Sequence, residues 1–413
     1  MMKRYRRTAV SQYLVVTLIL FVIIGVGLLG FLVQARVTFS DHFVIPWAAG
    51  RTWLLEGESP YAHAAIETAS EALENSSFKA QLPESQGFTQ PILSLIFYLP
   101  FSLMPYVIAR TLWVTLLGLS VGLIGFLSIR LSGWKLPAFG SFWVVLMMVF
   151  WLPSVAAILG GFISPVIVGM ILLGIYLIMI GQDTTAGFVL ALTVSSFLTS
   201  GLVLIFLIIW SLSHKRWSII TSFFSGLIFL ILLSFLILPS WFTEWASVLL
   251  NLNDGWNWIN TPLMDLAALL PGIESPLVLF LHGIFSFYAL FLVITALGQV
   301  GRVFIYKIFA FLVIVYLLHF QGSMNYLFFT MPALLLIFRF WSERWKRLGT
   351  LVSWSLLILV SVGSWLFFYS EIDFTQSMGT MLFYLGFPLF IWVGMVWIRW
   401  WALTIPELPY KAN

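Results

Sequence analysis

The chain has no cysteine in 413 residues. That excludes disulfides, a thiolate metal site and a cysteine nucleophile, without assigning a compartment. Charge is also scarce: Asp, Glu, Lys and Arg make up 9%, too little to solvate the surface of a soluble domain of this size, where roughly 25% is usual. The formal net charge of +4 is modest and gives no reason to invoke nucleic acid. Five histidines are scattered without metal-ligand spacing, so no cofactor and no obligatory metal are expected. There is no nucleophile elbow, Walker loop or dinucleotide fingerprint, nor a low-complexity linker or short-period repeat.

What the chain has instead is oil. Hydrophobic residues make up 61%, above the roughly 45–50% of soluble domains, in runs long enough to cross a bilayer. The composition therefore predicts an all-α polytopic membrane protein, organised as a single membrane domain over 1–413. Cutting the apolar runs at charged and Gly/Pro-rich punctuation gives about twelve spans. They cover 12–34, 91–104, 106–129, 139–159, 164–180, 186–212, 218–239, 276–299, 303–319, 325–341, 350–369 and 379–398. The run 91–104 is short enough to be re-entrant or buried. The basic start, the first apolar run and Val33-Gln34-Ala35 resemble a signal peptide, but the run exceeds a usual h-region, so an uncleaved anchor is expected.

Charge asymmetry orients this map. With Lys3, Arg4, Arg6 and Arg7 cytoplasmic, the same side receives Lys215/Arg216, Arg302/Lys307, Arg339 to Arg347, Arg399 and Lys411, as the positive-inside rule requires. Both termini are then cytoplasmic. The opposite side collects the acids, from Asp41, Glu56 and Glu58 through Asp183, Glu244 and Asp254 to Glu371 and Asp373. Arg130 and Lys135 disagree, falling outside in this count.

Two loops are long, 35–90 and 240–275, both on the acidic side, and long loops on a terse membrane protein are where function concentrates. In the first, Pro46 suits a helix start and Gly57 its end, predicting a helix over 46–56, and a second short helix fits 62–74. At about 100° per residue, Arg51 lies about 40° from Trp47, on the apolar stripe. Either it snorkels from an interfacial helix with tryptophan anchors, or it turns inward to an anionic ligand. Asp41 follows the first apolar run directly. It is either a cap or surface charge, or a carboxylate whose partial loss of hydration makes it a better proton acceptor than one in bulk water. In the second loop, Trp256 and Trp258 offer flat faces for sugar packing or belong to the aromatic belt.

Asp41, the stretch WAAGRTWLLEGESPY (47–61) and FTQPILSLIFYLPFSLMPYVIARTLW (88–113) together resemble the multi-spanning GT-C glycosyltransferases, in particular glycosyltransferase family 87. That family includes polyprenyl-phosphate-mannose-dependent mannosyltransferases. The matching elements are Asp41, Gly57-Glu58-Ser59-Pro60-Tyr61, Pro91 with Pro100, and Leu112-Trp113, with weaker similarity at 160–164 and 322–326. This chain departs from relatives at Gln90-Pro91, where they have a double proline, at Gly161-Phe162, where they have Gly-Gln, and at Thr199-Ser200-Gly201, where they have Lys-Pro. The missing lysine removes a phosphate contact, so another cation substitutes or the donor is held differently.

The resemblance implies a cell-envelope enzyme that moves a hexose, mannose by analogy, from a polyprenyl-phosphate donor to a lipid or glycan acceptor on the extracytoplasmic face, inverting the anomeric centre. Such chemistry needs a base, a phosphate cradle and a lipid-accessible groove. Asp41 is the expected base. Arg51 and the stretch HFQGSMNY (319–326) supply donor-binding candidates: His319 for phosphate, and Gln321, Asn325 and Tyr326 for sugar hydroxyls. His42, Tyr61, Trp256 and Trp258 are weaker acceptor-binding candidates. A lipid-linked oligosaccharide polymerase or ligase shares the donor, but 240–275 has no Lys or Arg. A transporter should carry polar residues at the bilayer midplane, whereas here almost all charge sits at helix ends.

Overall fold

The computed structural model describes residues 39–76, 80–83, 87–251, 261–267, 272–319, 324–369 and 385–403. Nearly every element is a helix, apart from a two-residue parallel pair, β1 (Phe39–Ser40) with β2 (Ala80–Gln81). The expected first span, 12–34, lies outside the described residues.

Helix α1 (Val44–Glu56) ends at Gly57, which takes the left-handed conformation (φ 73°) that closes helices most cheaply at glycine. It packs against α2 (Ala64–Glu74), whose Ala65 and Ala69 are buried while Glu67, Glu71 and Glu74 face out. The run 91–104 forms no span. Pro91, Pro100 and Pro105 cut it into a 3₁₀ turn over Ile92–Phe97 and a one-turn helix α3 (Leu99–Ser102), too short for a hydrocarbon layer of about 30 Å.

That shortfall resolves the disagreement over Arg130 and Lys135. Helix α4 (Tyr106–Ser132) starts beside Asp41 and delivers its C-terminus to Arg339, whose Nη1 donates to the Ser132 carbonyl at 2.8 Å. Arg130 and Lys135 therefore share an end with Arg339. The bundle thus has an Asp41 end and an Arg339 end. Helices α5 (Ala138–Val149) and α6 (Leu152–Leu159), bent by 57° at their junction, lead back to the Asp41 end, and α7 (Ser164–Met179) leaves it again.

The stretch 183–213 is long and apolar enough to be one span, yet Arg216 Nε binds Asp183 Oδ2 at 2.9 Å. A straight helix of that length would hold its ends about 45 Å apart. The chain instead folds over a 3₁₀ turn at Thr193–Ser196, where Ser196 leaves helical geometry (φ −122°, ψ 64°). The result is a hairpin of α8 (Asp183–Leu192) and α9 (Phe197–Ser213). This corrects the single crossing expected over 186–212, and it moves Asp183 from the acidic side to the Arg339 end.

Helices α10 (Trp217–Ile237), α11 (Trp241–Asn251), α12 (Pro262–Ala267) and α13 (Glu274–Ala296) follow. Next comes the core helix α14 (Gly301–Leu317), buried on all sides from Phe304 onward. Helix α15 (Met331–Tyr369) breaks at Lys346. Trp134 packs on Phe338 before the break and on Trp354 after it, residues a straight helix would separate by about 24 Å. Helix α16 (Phe387–Leu403) closes the described chain. Among the described residues, five helical stretches are long and apolar enough to cross a membrane, counting the folded 183–213 and the broken 325–366 as one each, or six if α5 and α6 form one span, against about twelve expected over the whole chain. Broken and hairpin segments take the place of several expected spans, because apolar runs here line a protein core as well as a lipid face.

Candidate active site

Asp41 is fully buried. Its backbone N–H donates to the Gln81 carbonyl at 2.9 Å, extending the β1–β2 pairing, and the His42 N–H donates to the Gly160 carbonyl at 2.9 Å. The side chain then serves two purposes. Oδ1 accepts the Phe43 N–H at 2.9 Å, an Asx turn that leads into α1. Oδ2 accepts Arg110 Nε at 2.8 Å and the Tyr106 hydroxyl. Arg110 is itself 4% exposed and donates from Nη2 to the Leu159 carbonyl at 2.9 Å. The pair is thus a desolvated, charge-assisted contact that ties the first loop to α4 and to the end of α6.

Gly161 makes this closeness possible. It sits at φ +71°, and a Cβ there would lie 2.9 Å from Asp41 Oδ1 and 3.0 Å from the Phe43 nitrogen. Its carbonyl accepts Trp113 Nε1 at 3.0 Å, and Trp113 stacks on Phe43 and lies against Tyr98, ring centroids 5.3 and 4.8 Å apart. An aromatic floor therefore lies under the carboxylate. On its partly exposed flank, His42 stacks on Phe162 at 3.9 Å. Burial lowers the His42 pKa, with the Asp41 charge opposing, so the ring is neutral at pH 7.

The second constellation lies at the same end. His319, 5% exposed, stacks on Tyr326 at 4.0 Å, and the Tyr326 side chain lies near Thr199. Asn325 is held by its carbonyl, which accepts Ser164 Oγ at 2.8 Å. Tyr98 connects the two groups: it lies within electrostatic reach of both Asp41 and Tyr326. The 3₁₀ turn carrying Leu95 packs on the 193–196 turn of the α8–α9 hairpin.

Other candidates fall elsewhere. Arg51 donates to the Ser102 carbonyl at 3.3 Å and lies over the Trp47 ring, itself bonded to the carbonyls of Phe101 and Met104. It caps α3 and does not meet Asp41. The Tyr61 hydroxyl donates to the Gln90 carbonyl at 3.1 Å, and burial together with Glu244 pushes that phenol well above its ordinary range. Tyr61 belongs to a seam where Ser59 bonds Glu244 and Trp245 Nε1 donates to the Thr89 carbonyl at 3.0 Å. Gln321, Trp256 and Trp258 lie outside the described residues. Among the described residues, no three His, Asp or Glu side chains cluster to hold a metal.

Sequence reading passed over Arg110 and Tyr106, and met Gly161 only in the Gly161-Phe162 departure, without a role beside Asp41. The signal for Arg110 was present: an arginine inside an apolar run is a functional candidate by default. Tyr106 and Gly161 carry no such mark, since only folding brings them to Asp41.

A largely helical membrane protein with its buried carboxylate, histidine and tyrosines gathered at one end fits a membrane-embedded enzyme. The chain belongs to glycosyltransferase family 87, whose profile matches residues 88–329, more than half its length. The match takes in Tyr106, Arg110, Gly161, His319 and Tyr326, and begins after Asp41. No curated protein and no solved structure gives a significant match. The chain is accordingly a membrane glycosyltransferase.

Proposed function

We propose that the protein transfers a hexose, mannose by analogy, from a polyprenyl-phosphate donor to a lipid or glycan acceptor on the extracytoplasmic face, with inversion and without a metal. Asp41 is the base: one carboxylate oxygen takes the proton of the acceptor hydroxyl as its oxygen bonds the anomeric carbon. The bond from that carbon to the phosphate oxygen breaks, and the polyprenyl phosphate leaves with the electron pair. A single displacement needs only this one carboxylate on the acceptor side, because phosphate leaves without an acid.

The observation that carries this reading is the Asp41 carboxylate, fully buried at the end where His319 and Tyr326 also gather. Among the described residues, three of its four acceptor positions are filled, by Phe43, Arg110 and Tyr106, and the fourth, on Oδ1, is the one left for an acceptor hydroxyl. The acceptor arrives by the His42–Phe162 flank. Arg110, not Arg51, is the cation beside the base, and it replaces the lysine missing at Thr199-Ser200-Gly201 as a partner for the leaving phosphate. His319 and Tyr326 line the donor side.

The same burial favours a second reading, in which Asp41–Arg110 is only a fastener. Transfer assays in membranes supplied with polyprenyl-phosphate sugars separate the two. Loss of a general base costs about 10²–10⁴-fold, so Asp41→Asn, folded as judged by its melting curve, is expected to fall by that range. The double variant Asp41→Asn/Arg110→Met should regain stability but not transfer. Undiminished transfer in Asp41→Asn rejects the base. Mass spectrometry of glycolipids from cells with and without the protein identifies the sugar and acceptor.

A further inference from the structure

At the Arg339 end, far from Asp41, a cavity of about 200 Å³ opens between α4, α7, α14 and α15. Two guanidiniums line it, Arg302 and Arg339, together with Gly301 at the start of α14. Met179, Leu336 and Phe340 form apolar walls. The arginines lie within electrostatic reach of each other, an arrangement that costs energy unless an anion sits between them.

Their existing contacts do not neutralise them. Arg302 Nη2 donates to the Trp401 carbonyl at 2.8 Å and the guanidinium lies 4.5 Å from the Phe340 ring centroid, while its Nε is buried with no hydrogen-bond partner among the described residues. Arg339 bonds Glu343 through Nε at 2.8 Å. One carboxylate thus faces two guanidiniums. The first turn of α14 adds unspent N–H groups and the positive end of its dipole. At about 30 Å³ per water, the space would otherwise hold a cluster of several waters. Beside Gly301, Leu297 and Val300 are exposed apolar residues, so the cavity adjoins a greasy surface.

We infer that this cavity binds an anionic phosphate group, held by Arg302 and Arg339. A bidentate fork suits phosphate oxygens, and the apolar walls and rim suit the glycerol and acyl portion of a lipid better than they suit a free ion. Basic pockets between membrane helices recognise lipid headgroups by this chemistry. The inference is independent of Asp41 and of the transfer reaction.

The test is native mass spectrometry of the full chain, released from nanodiscs holding phosphatidylglycerol and phosphatidylcholine in equal amounts. The wild type is expected to retain phosphatidylglycerol on the order of tenfold more than Arg302→Gln/Arg339→Gln, with phosphatidylcholine retention the same in both. Arg344→Gln/Arg347→Gln removes equal charge from the same end without touching the cavity and should behave as wild type. Arg302→Lys/Arg339→Lys keeps the charge, checks folding and should bind in between. Inorganic phosphate titrated into lipid-depleted protein identifies the source: stabilisation by phosphate, lost in the Gln double variant and not reproduced by phosphatidylglycerol, makes the occupant a free phosphate in the same site. Equal retention in the wild type and the Arg302/Arg339 Gln variant, with no phosphate response, overturns the inference, as does an equal loss in the Arg344/Arg347 pair.

Discussion

At the Asp41 end a carboxylate is wholly buried and met by three donors, and the ion pair it forms is 5% and 0% exposed at its two side chains. At the Arg339 end the corresponding pair, Arg216 with Asp183, is 24% and 21% exposed, and the surrounding charge is mostly arginine and lysine. The chain therefore handles charge in two ways. Where water reaches, charges orient the chain and are cheap to keep. Where it does not, the Asp41 carboxylate is held by donors from its own loop and from α4, with Arg110 tied in turn to the end of α6, and that cost makes it a candidate for chemistry rather than solubility.

Breaking the buried pair should have the largest effect. Arg110→Met leaves an uncompensated carboxylate behind an aromatic floor and is expected to cost about 3–5 kcal/mol, read as a large drop in melting temperature in detergent. Combining it with Asp41→Asn should recover most of that loss, since an apolar or neutral replacement of both partners is often tolerated. If the single and double variants melt together, the two ends do not differ in the way described.

The two ends also offer a matched pair of glycines. Gly161 at φ +71° faces Asp41 Oδ1 and the Phe43 backbone, whereas Gly181 at φ +81° has nothing within 4 Å among the described residues. Alanine at Gly181 should cost only the left-handed penalty, about 1–2 kcal/mol. Alanine at Gly161 adds a clash with backbone that cannot yield, about 2–4 kcal/mol in all, and should lower transfer because it displaces Asp41. Equal costs at the two positions would show that the Asp41 pocket is looser than the distances imply.

Legibility of the fold followed local physics and stopped where it stopped. Gly57, Pro46 and the apolar stripe of the first described helix are short-range signals, and α1 appears within two residues of its expected start. The 186–212 run misled because hydropathy measures oil and not direction. Its turn is made by Thr193-Val194-Ser195-Ser196 without a glycine or proline, and Arg216 touching Asp183 is what exposes it. Asp183 was placed on the wrong side for a related reason: orientation is set by Lys and Arg, and acids contribute little. At the site, Asp41 drew attention through its position, but its partners Tyr106, Arg110 and Gly161 lie 65 or more residues away, a distance that no periodicity reports.

On the exposed side of the comparison, Asp183→Asn should cost about 1 kcal/mol or less, as is usual for a pair that water partly screens. Arg216 keeps its Nη2 bond to the Ile178 carbonyl at 3.0 Å, so the hairpin's base does not come apart. Melting curves of Asp183→Asn and Arg110→Met in the same detergent give the contrast directly; a loss at Asp183 comparable to that at Arg110 would erase it.

The smallest effect is expected from pH, at His42. Burial lowers its folded pKa below the usual 6.5, and Asp41 only partly offsets this. Protons then bind the unfolded chain first as the pH falls. The stability His42 contributes is complete above about 6.5 and is lost progressively as the pH drops through its folded value. His42→Phe keeps the stack on Phe162 while removing the proton site, and it should flatten the slope of melting temperature against pH without moving the value at pH 7.5. An unchanged slope in His42→Phe would mean that the ring is hydrated in solution, and that the flank beside Asp41 is already open to the acceptor before any substrate binds.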